Sequence, residues 1–345
     1  MKKLIIAVLL SIILSIILSV FNVNAEEEER FELPISGTTG FASVTTNVQE
    51  VENGKTLVTI VPGTAFTILE ESSDYFYIKV RVENQEYFGW VSKRTTLVNL
   101  PDLIPSIVYY DTNSIGSMFS SSEYPLEGIY GEKLYEVYLY NERFEKDTFT
   151  MPVLYGMACK IMDAQQKALK DGNSLKIYET FRPHEVQMQV SSTLSNLMNS
   201  NPVVYKNIAS WGKGWFIATS YSNHQRGRAM DCSLVKVNSF KYKNVNSYTY
   251  KNVTSYSEYV MPTNMHELSA YAVTFQYGVN SSSWKSAPLS SGMKRCEGAQ
   301  LLQKYCTEAG MTPLASEWWH FDDNTNPGSC NGEFFITECV SEKPE

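Results

Sequence analysis

Residues 222–231 read Ser-Asn-His-Gln-Arg-Gly-Arg-Ala-Met-Asp, or SNHQRGRAMD. His224 and Asp231 flank a glycine, Gly227, and together offer an imidazole and a carboxylate. They make half of a metal site if the rest of the chain supplies another ligand and a base. Glu317-Trp318-Trp319-His320 supplies both. His224, Asp231 and His320 would give zinc two imidazole nitrogens and one carboxylate oxygen. Three protein ligands leave the fourth position for water, as catalytic zinc sites do and closed structural sites do not. Glu317 is the expected base, taking a proton from that water and passing it to a leaving amine. On a regular strand, positions three apart face opposite sides, so an irregularity is expected where Glu317 turns inward. Arg182 follows an expected strand and would stabilise an oxyanion.

The chain has 345 residues, 43% hydrophobic and 19% charged, enough for one sizeable core or two smaller ones. Its formal charge is -8 and it holds no long basic block, which argues against nucleic acid as a partner. Six Trp, 22 Tyr and 16 Phe suit wall-carbohydrate or peptide contacts, although core filling accounts for most of them. Lys2 and Lys3, an apolar run from Leu4 to Phe21 and Val23-Asn24-Ala25 read as a signal peptide over 1–25. The expected location is therefore secreted, wall-associated or membrane-anchored on the extracytoplasmic side, since the run is also long enough for an uncleaved anchor. Export permits disulfides. Of the six cysteines, Cys330 and Cys339 are close in the tail and form the preferred pair.

An acidic leader (26–36) precedes short β-branched and aromatic runs over 37–98, broken by Pro62-Gly63 and Ser72-Ser73-Asp74. Gly89, within Tyr-Phe-Gly-Trp-Val, predicts a close strand approach. Residues 99–106 carry two prolines and read as a linker to a larger region, 107–345. There the apolar stripe Val153, Met157, Ile161, Ala164, Ala168 predicts a helix ending at Gly172. Ser174–Glu179 reads as a strand, Pro183 opens a second helix and Glu297–Gly310 is a third. The doubled Tyr-Lys-Asn-Val at 242–245 and 250–253 predicts a hairpin or a lid, with a solvated β-excursion as the default.

Ser222, His224, Gly227, Ala229 and Asp231 follow the S-x-H-x-x-G-x-A-x-D pattern, and Glu317-Trp-Trp-His320 follows E-x-W-H. Phe181-Arg182 with Gln187 is similar to Y-R-x-x-x-x-Q. In these motifs, over roughly Ile107 to Phe321, the chain resembles the D-alanyl-D-alanine metallopeptidases, and its early part is most similar to their dipeptidase branch. The resemblance implies one zinc ion on His224, Asp231 and His320, Glu317 as base and Arg182 on the scissile carbonyl. The implied fold class is α+β, with a central antiparallel sheet and flanking helices. Residues 37–98 resemble a bacterial SH3-like β-barrel in their later half, a module that would bind a wall ligand.

One position departs from the dipeptidase pattern. Where that branch has an acidic residue holding the dipeptide's ammonium, this chain has His266, within Met261-Pro-Thr-Asn-Met-His-Glu. A neutral imidazole is a poor ammonium partner. Either Glu267 takes over, or the substrate has no free amine near the cut. The second option fits a D,D-carboxypeptidase acting on D-alanyl ends of peptidoglycan stem peptides; a D-Ala-D-Ala dipeptidase and an endopeptidase are the alternatives. Ser222, Gln187, His266, Glu267 and Trp319 are the candidate substrate contacts. A different class, a non-catalytic zinc-containing wall-binding protein, would use the same ligands without hydrolysis.

Overall fold

The computed structural model describes residues 30–136, 138–325, 332–334 and 336. The signal-peptide reading of 1–25, residues 26–29 of the acidic leader and the Cys330–Cys339 pairing lie outside them. Cys232, Cys296 and Cys306 are buried free thiols, and Cys159 is buried as well. Among the described residues, no helix is long and apolar enough to cross a membrane.

The first seven strands are β1 (Thr39–Ala42), β2 (Thr46–Gln49), β3 (Thr56–Ile60), β4 (Ala65–Glu71), β5 (Tyr75–Val82), β6 (Gln85–Ser92) and β7 (Thr96–Asn99). Alternation is clearest in β4 and β5, whereas β7 is buried throughout. In β5, Phe76, Ile78 and Val80 point inward while the residues between them are partly exposed. Gly89 is needed for packing, since a Cβ there would lie 2.5 Å from the Gln49 carbonyl oxygen of β2.

After a short helical turn α1 (Leu100–Leu103) come β8 (Val108–Tyr109), α2 (Thr112–Ile115), β9 (Ser120–Ser121), β10 (Tyr124–Pro125), β11 (Tyr138–Asn141), β12 (Lys146–Phe149) and β13 (Pro152–Leu154). The first sheet does not close. Its strands run β13-β7-β1-β4-β5-β6-β2-β3, an open eight-stranded antiparallel order. The expected small barrel over 37–98 is thus corrected: β13, from the later region, takes the free edge of β7 and extends the sheet.

Residues 99–106 are likewise a buried joint and not a free linker. Leu100, Asp102 and Leu103 are buried, the Asp102 carboxylate accepts from the Thr39 N–H at 2.9 Å, and Leu103 O accepts from Leu33 N. Pro101 starts a helical turn here, which the reading of prolines as loop punctuation overlooked. The described residues from Phe31 onward accordingly form one unit.

The remaining elements are α3 (Tyr155–Lys170), β14 (Asn173–Glu179), α4 (His184–Ser200), α5 (Pro202–Ala209), β15 (Ala229–Val245), β16 (Tyr248–Glu258), α6 (Ser291–Arg295), α7 (Glu297–Glu308), β17 (Thr312–Leu314) and β18 (Glu317–Asp322). A second sheet runs β17-β18-β15-β14-β8, with β16 also on β15; only the β8–β14 pair is parallel. Helices α3 and α7 pack against it, and Ile161, Leu302 and Cys306 share one core with Leu175, Ile177, Cys232 and Leu234. Neighbouring residues on a strand face opposite ways. With Cys232 turned into that core, Asp231 faces the other side of the sheet. The chain is thus a mixed α+β protein with antiparallel sheets and several helices. The two copies of the motif lie on opposite strands of a long two-stranded ribbon, with Tyr242 opposite Lys251 and Lys243 opposite Tyr250.

Candidate metal centre

Three adjacent strands bring the site together. On β15, Asp231 pairs with Glu179 of β14 on one side and His320 of β18 on the other, a row of three polar residues across the sheet. His224 arrives from the loop between α5 and β15. That loop turns at Gly227, whose φ of +65° favours glycine and whose added Cβ would lie 2.4 Å from Leu97 Cδ2. Its carbonyl accepts from Leu154 N at 2.8 Å, so the glycine of the motif fastens the ligand loop to β13.

His224, Asp231 and His320 are all buried, and their ligand atoms form a metal-sized group. His224 Nε2 and His320 Nδ1 are 3.2 Å apart. His320 Nδ1 lies 3.0 Å from Asp231 Oδ1, and His224 Nε2 lies 3.3 Å from Asp231 Oδ2. Ligands about 2.0–2.2 Å from a tetrahedral cation stand roughly 3.3 Å from one another, so these residues fit such an ion. The other ring nitrogens are engaged: His224 Nδ1 donates to Thr180 O at 2.5 Å, and His320 Nε2 to Asp322 Oδ1 at 2.9 Å. His224 therefore offers Nε2 inward and His320 offers Nδ1.

A second group, Glu179, Asp231 and His266, also has the spacing of a metal site. The guanidinium of Arg182 already fills it. Arg182 Nε donates to Glu179 Oε1 at 2.9 Å, Nη2 donates to Glu179 Oε2 and, at 3.2 Å, to Asp231 Oδ2, and Nη1 donates to Gln187 Oε1 at 2.7 Å. A guanidinium has five N–H groups. Four are used, and the fifth, on Nη1, has no partner among the described residues.

Glu317 reaches the ligands through the expected irregularity. Between β17 and β18 the register jumps, with Pro313 opposite Phe321 but Leu314 opposite Glu317. Glu317 Oε2 ends 3.8 Å from His320 Nδ1. Burial pushes its carboxyl up to about 8, with His320 opposing and Asp231 adding to the rise. A divalent cation beside it would draw that value down toward neutrality. Burial disfavours a charged His320, but the Asp322 and Asp231 carboxylates outweigh it and hold the imidazole well above its ordinary range. Burial likewise opposes ionisation of Asp231, and the histidines around it, His224 first, overcome this and hold it well below the usual carboxylate range.

The remaining candidates divide. Gln187 braces Arg182 and donates through Nε2 to Ala218 O at 3.1 Å. Ser222 donates from both N and Oγ to Gln225 Oε1, at 2.6 and 2.8 Å, so its hydroxyl proton is spent within its own loop. Trp319 is buried and lines the cavity wall. His266 faces the ligand set from outside: its Nε2 lies 3.0 Å from Asp231 Oδ2, and its ring stacks on Phe119 at 4.4 Å. At φ +59° it holds a conformation that costs a non-glycine residue of order 1–3 kcal/mol. Glu267 turns away. Its carboxylate accepts from Ser120 Oγ at 2.6 Å, from Ser122 N and from Glu123 N at 3.2 Å, and it lines a different cavity.

Sequence reading missed Glu179 and Asp322. Asp322 was legible, since residues two apart on a strand share a face and His320 was already assigned inward. Glu179 depends on a register shift after Ile177 that no local pattern announces. The ligands open onto a cavity of about 610 Å³, walled by Phe119, Trp211, Trp215, Phe216, Leu268 and Trp319. No family model matches the chain, and no curated protein matches it. What the centre does therefore follows from its own geometry.

Proposed function

We propose that the protein is a zinc-dependent peptidase acting on the D-alanyl ends of peptidoglycan stem peptides. One observation carries the reading: two imidazole nitrogens and a carboxylate at 3.0–3.3 Å from one another, with a buried carboxyl 3.8 Å from one of them. His224, Asp231 and His320 would hold the ion. Bound there, zinc supplies Lewis acidity, which lowers the pKa of water and polarises a carbonyl.

Glu317 takes the proton of the attacking water and returns it to the departing amine; its elevated affinity for a proton suits both halves of that exchange. The one uncommitted N–H of Arg182 points the guanidinium's role toward the oxygen that gains charge. Glu179 keeps the guanidinium in place. Aromatic walls exclude water and accept small apolar side chains.

The substrate's amine end is also constrained. Glu267 is occupied by the 120–123 turn, His266 is committed to Asp231, and Asp322 is committed to His320. With Glu317 reserved as base, no carboxylate remains for a free ammonium among the described cavity residues. This favours an N-blocked stem peptide over free D-Ala-D-Ala. The Lys2-Lys3 start and its apolar run support an extracytoplasmic setting, where such peptides occur.

The test offers zinc-loaded protein a pentapeptide ending in D-Ala-D-Ala and, separately, the free dipeptide. D-Ala release from the pentapeptide alone, abolished by a chelator, is expected. Tight zinc binding with no release from any wall peptide would instead identify a non-catalytic zinc protein.

A further inference from the structure

We infer that Asp322 is a positioning residue for the metal, fixing which nitrogen of His320 binds it. The inference rests on the metal reading of the site. Imidazole has two nitrogens, and a neutral ring carries its proton on one of them. In His320 the two point to different neighbours. Nδ1 faces inward, 3.2 Å from His224 Nε2 and 3.0 Å from Asp231 Oδ1. Nε2 lies 2.9 Å from Asp322 Oδ1. A carboxylate only accepts, so Nε2 carries its proton toward Asp322, and Nδ1 is the nitrogen left facing the cation's place, where a bound cation would displace any proton shared with Asp231.

The strand enforces this arrangement. His320 and Asp322 are two apart on β18 and share its face, and both strand neighbours hold Asp322 in register, Ala229 on β15 and Thr312 on β17. Asp322 is nearly buried, at 9% exposure, so its bond to the imidazole is shielded from water. It sits beyond the ring, on the far side from His224 and Asp231, and so orients a ligand without being one. The other histidine is held by a neutral group instead, the Thr180 carbonyl. A carboxylate partner makes a histidine the more basic ligand, and losing such a partner typically weakens metal binding by about 10–100-fold.

The experiment measures zinc affinity by competition with a chromogenic chelator for wild type, Asp322→Ala and Asp322→Asn. Histidine ring nitrogens are followed by NMR in the zinc-loaded proteins. Wild type should bind one zinc with His320 protonated on Nε2. Asp322→Ala should bind 10–100-fold more weakly. Asp322→Asn keeps an acceptor without the charge and should fall between the two. If Asp322→Ala fails to fold, the asparagine variant decides, since wild-type affinity in it overturns the inference. Wild-type affinity in the alanine variant, or a zinc-bound His320 protonated on Nδ1, also overturns it. A wild-type protein that binds no zinc sinks the metal reading itself, a distinct result.

Discussion

His320 and Asp231 stand directly opposite one another on neighbouring strands, with Nδ1 3.0 Å from Oδ1. Strand pairing alone thus sets two of the three proposed ligands, and only His224 depends on a loop. Loss of metal should therefore loosen the 222–228 loop more than the β15–β18 pair. Hydrogen exchange with and without zinc checks this: faster exchange confined to the loop is expected, and equal loss in both strands would contradict it.

Glu317 touches the ligand set without being needed to complete it. Glu317→Gln should keep zinc while hydrolysis falls by about 10²–10⁴-fold, the usual worth of a positioned acid–base group. Metal content and D-Ala release, measured on the same sample, separate the two effects. Full activity in this variant would remove the assigned mechanism.

Gly227 should tolerate no side chain. Alanine there would have to adopt φ +65° and place its Cβ 2.4 Å from Leu97 Cδ2. Strain of this kind costs about 1–3 kcal/mol before any clash is counted. Urea denaturation of Gly227→Ala should show a loss at least that large, and zinc affinity should fall too, because the same turn carries His224. An unchanged midpoint would be inconsistent with the packing described.

Asp102 should make stability depend on pH. Burial pushes its carboxyl up from the ordinary value to about 6, against a hydrogen bond from Thr39 and the charge of Arg143. The folded state thus binds this proton more tightly than the unfolded chain. Its contribution is fully present below about pH 4, and is lost as the pH rises through 6. A shift of about two pK units corresponds to about 3 kcal/mol. The stability of wild type relative to Asp102→Asn should fall by that order between pH 4 and 7. Parallel curves would show that Asp102 titrates normally.

Local pattern carried much of this architecture. The alternation in β5, most of the apolar stripe of α3 and the hairpin of the doubled Tyr-Lys-Asn-Val stretch appear where the sequence put them, but Val153, the first residue of that stripe, lies on β13 and not in the helix. The irregularity bringing Glu317 inward was also derivable, because a strand cannot otherwise present residues three apart on one face. What escaped was non-local. Nothing in residues 99–106 or 152–154 announces that one segment is buried beneath the first sheet and the other joins it. The same holds for Glu179, whose partner Arg182 is close in sequence but whose alignment with Asp231 needs a bulge. His266 was read from its place in a motif as a substrate contact; it lines the ligand cavity, but the contact of its Nε2 with Asp231 Oδ2 was not announced by that motif.

The central claim is that His224, Asp231 and His320 share one divalent cation. Anomalous diffraction at the zinc edge, on crystals of the zinc-loaded protein, tests it most directly. The predicted result is a single strong peak about 2.0–2.2 Å from His224 Nε2, His320 Nδ1 and an Asp231 oxygen. A zinc peak elsewhere, or none at that corner in fully loaded protein, would contradict it.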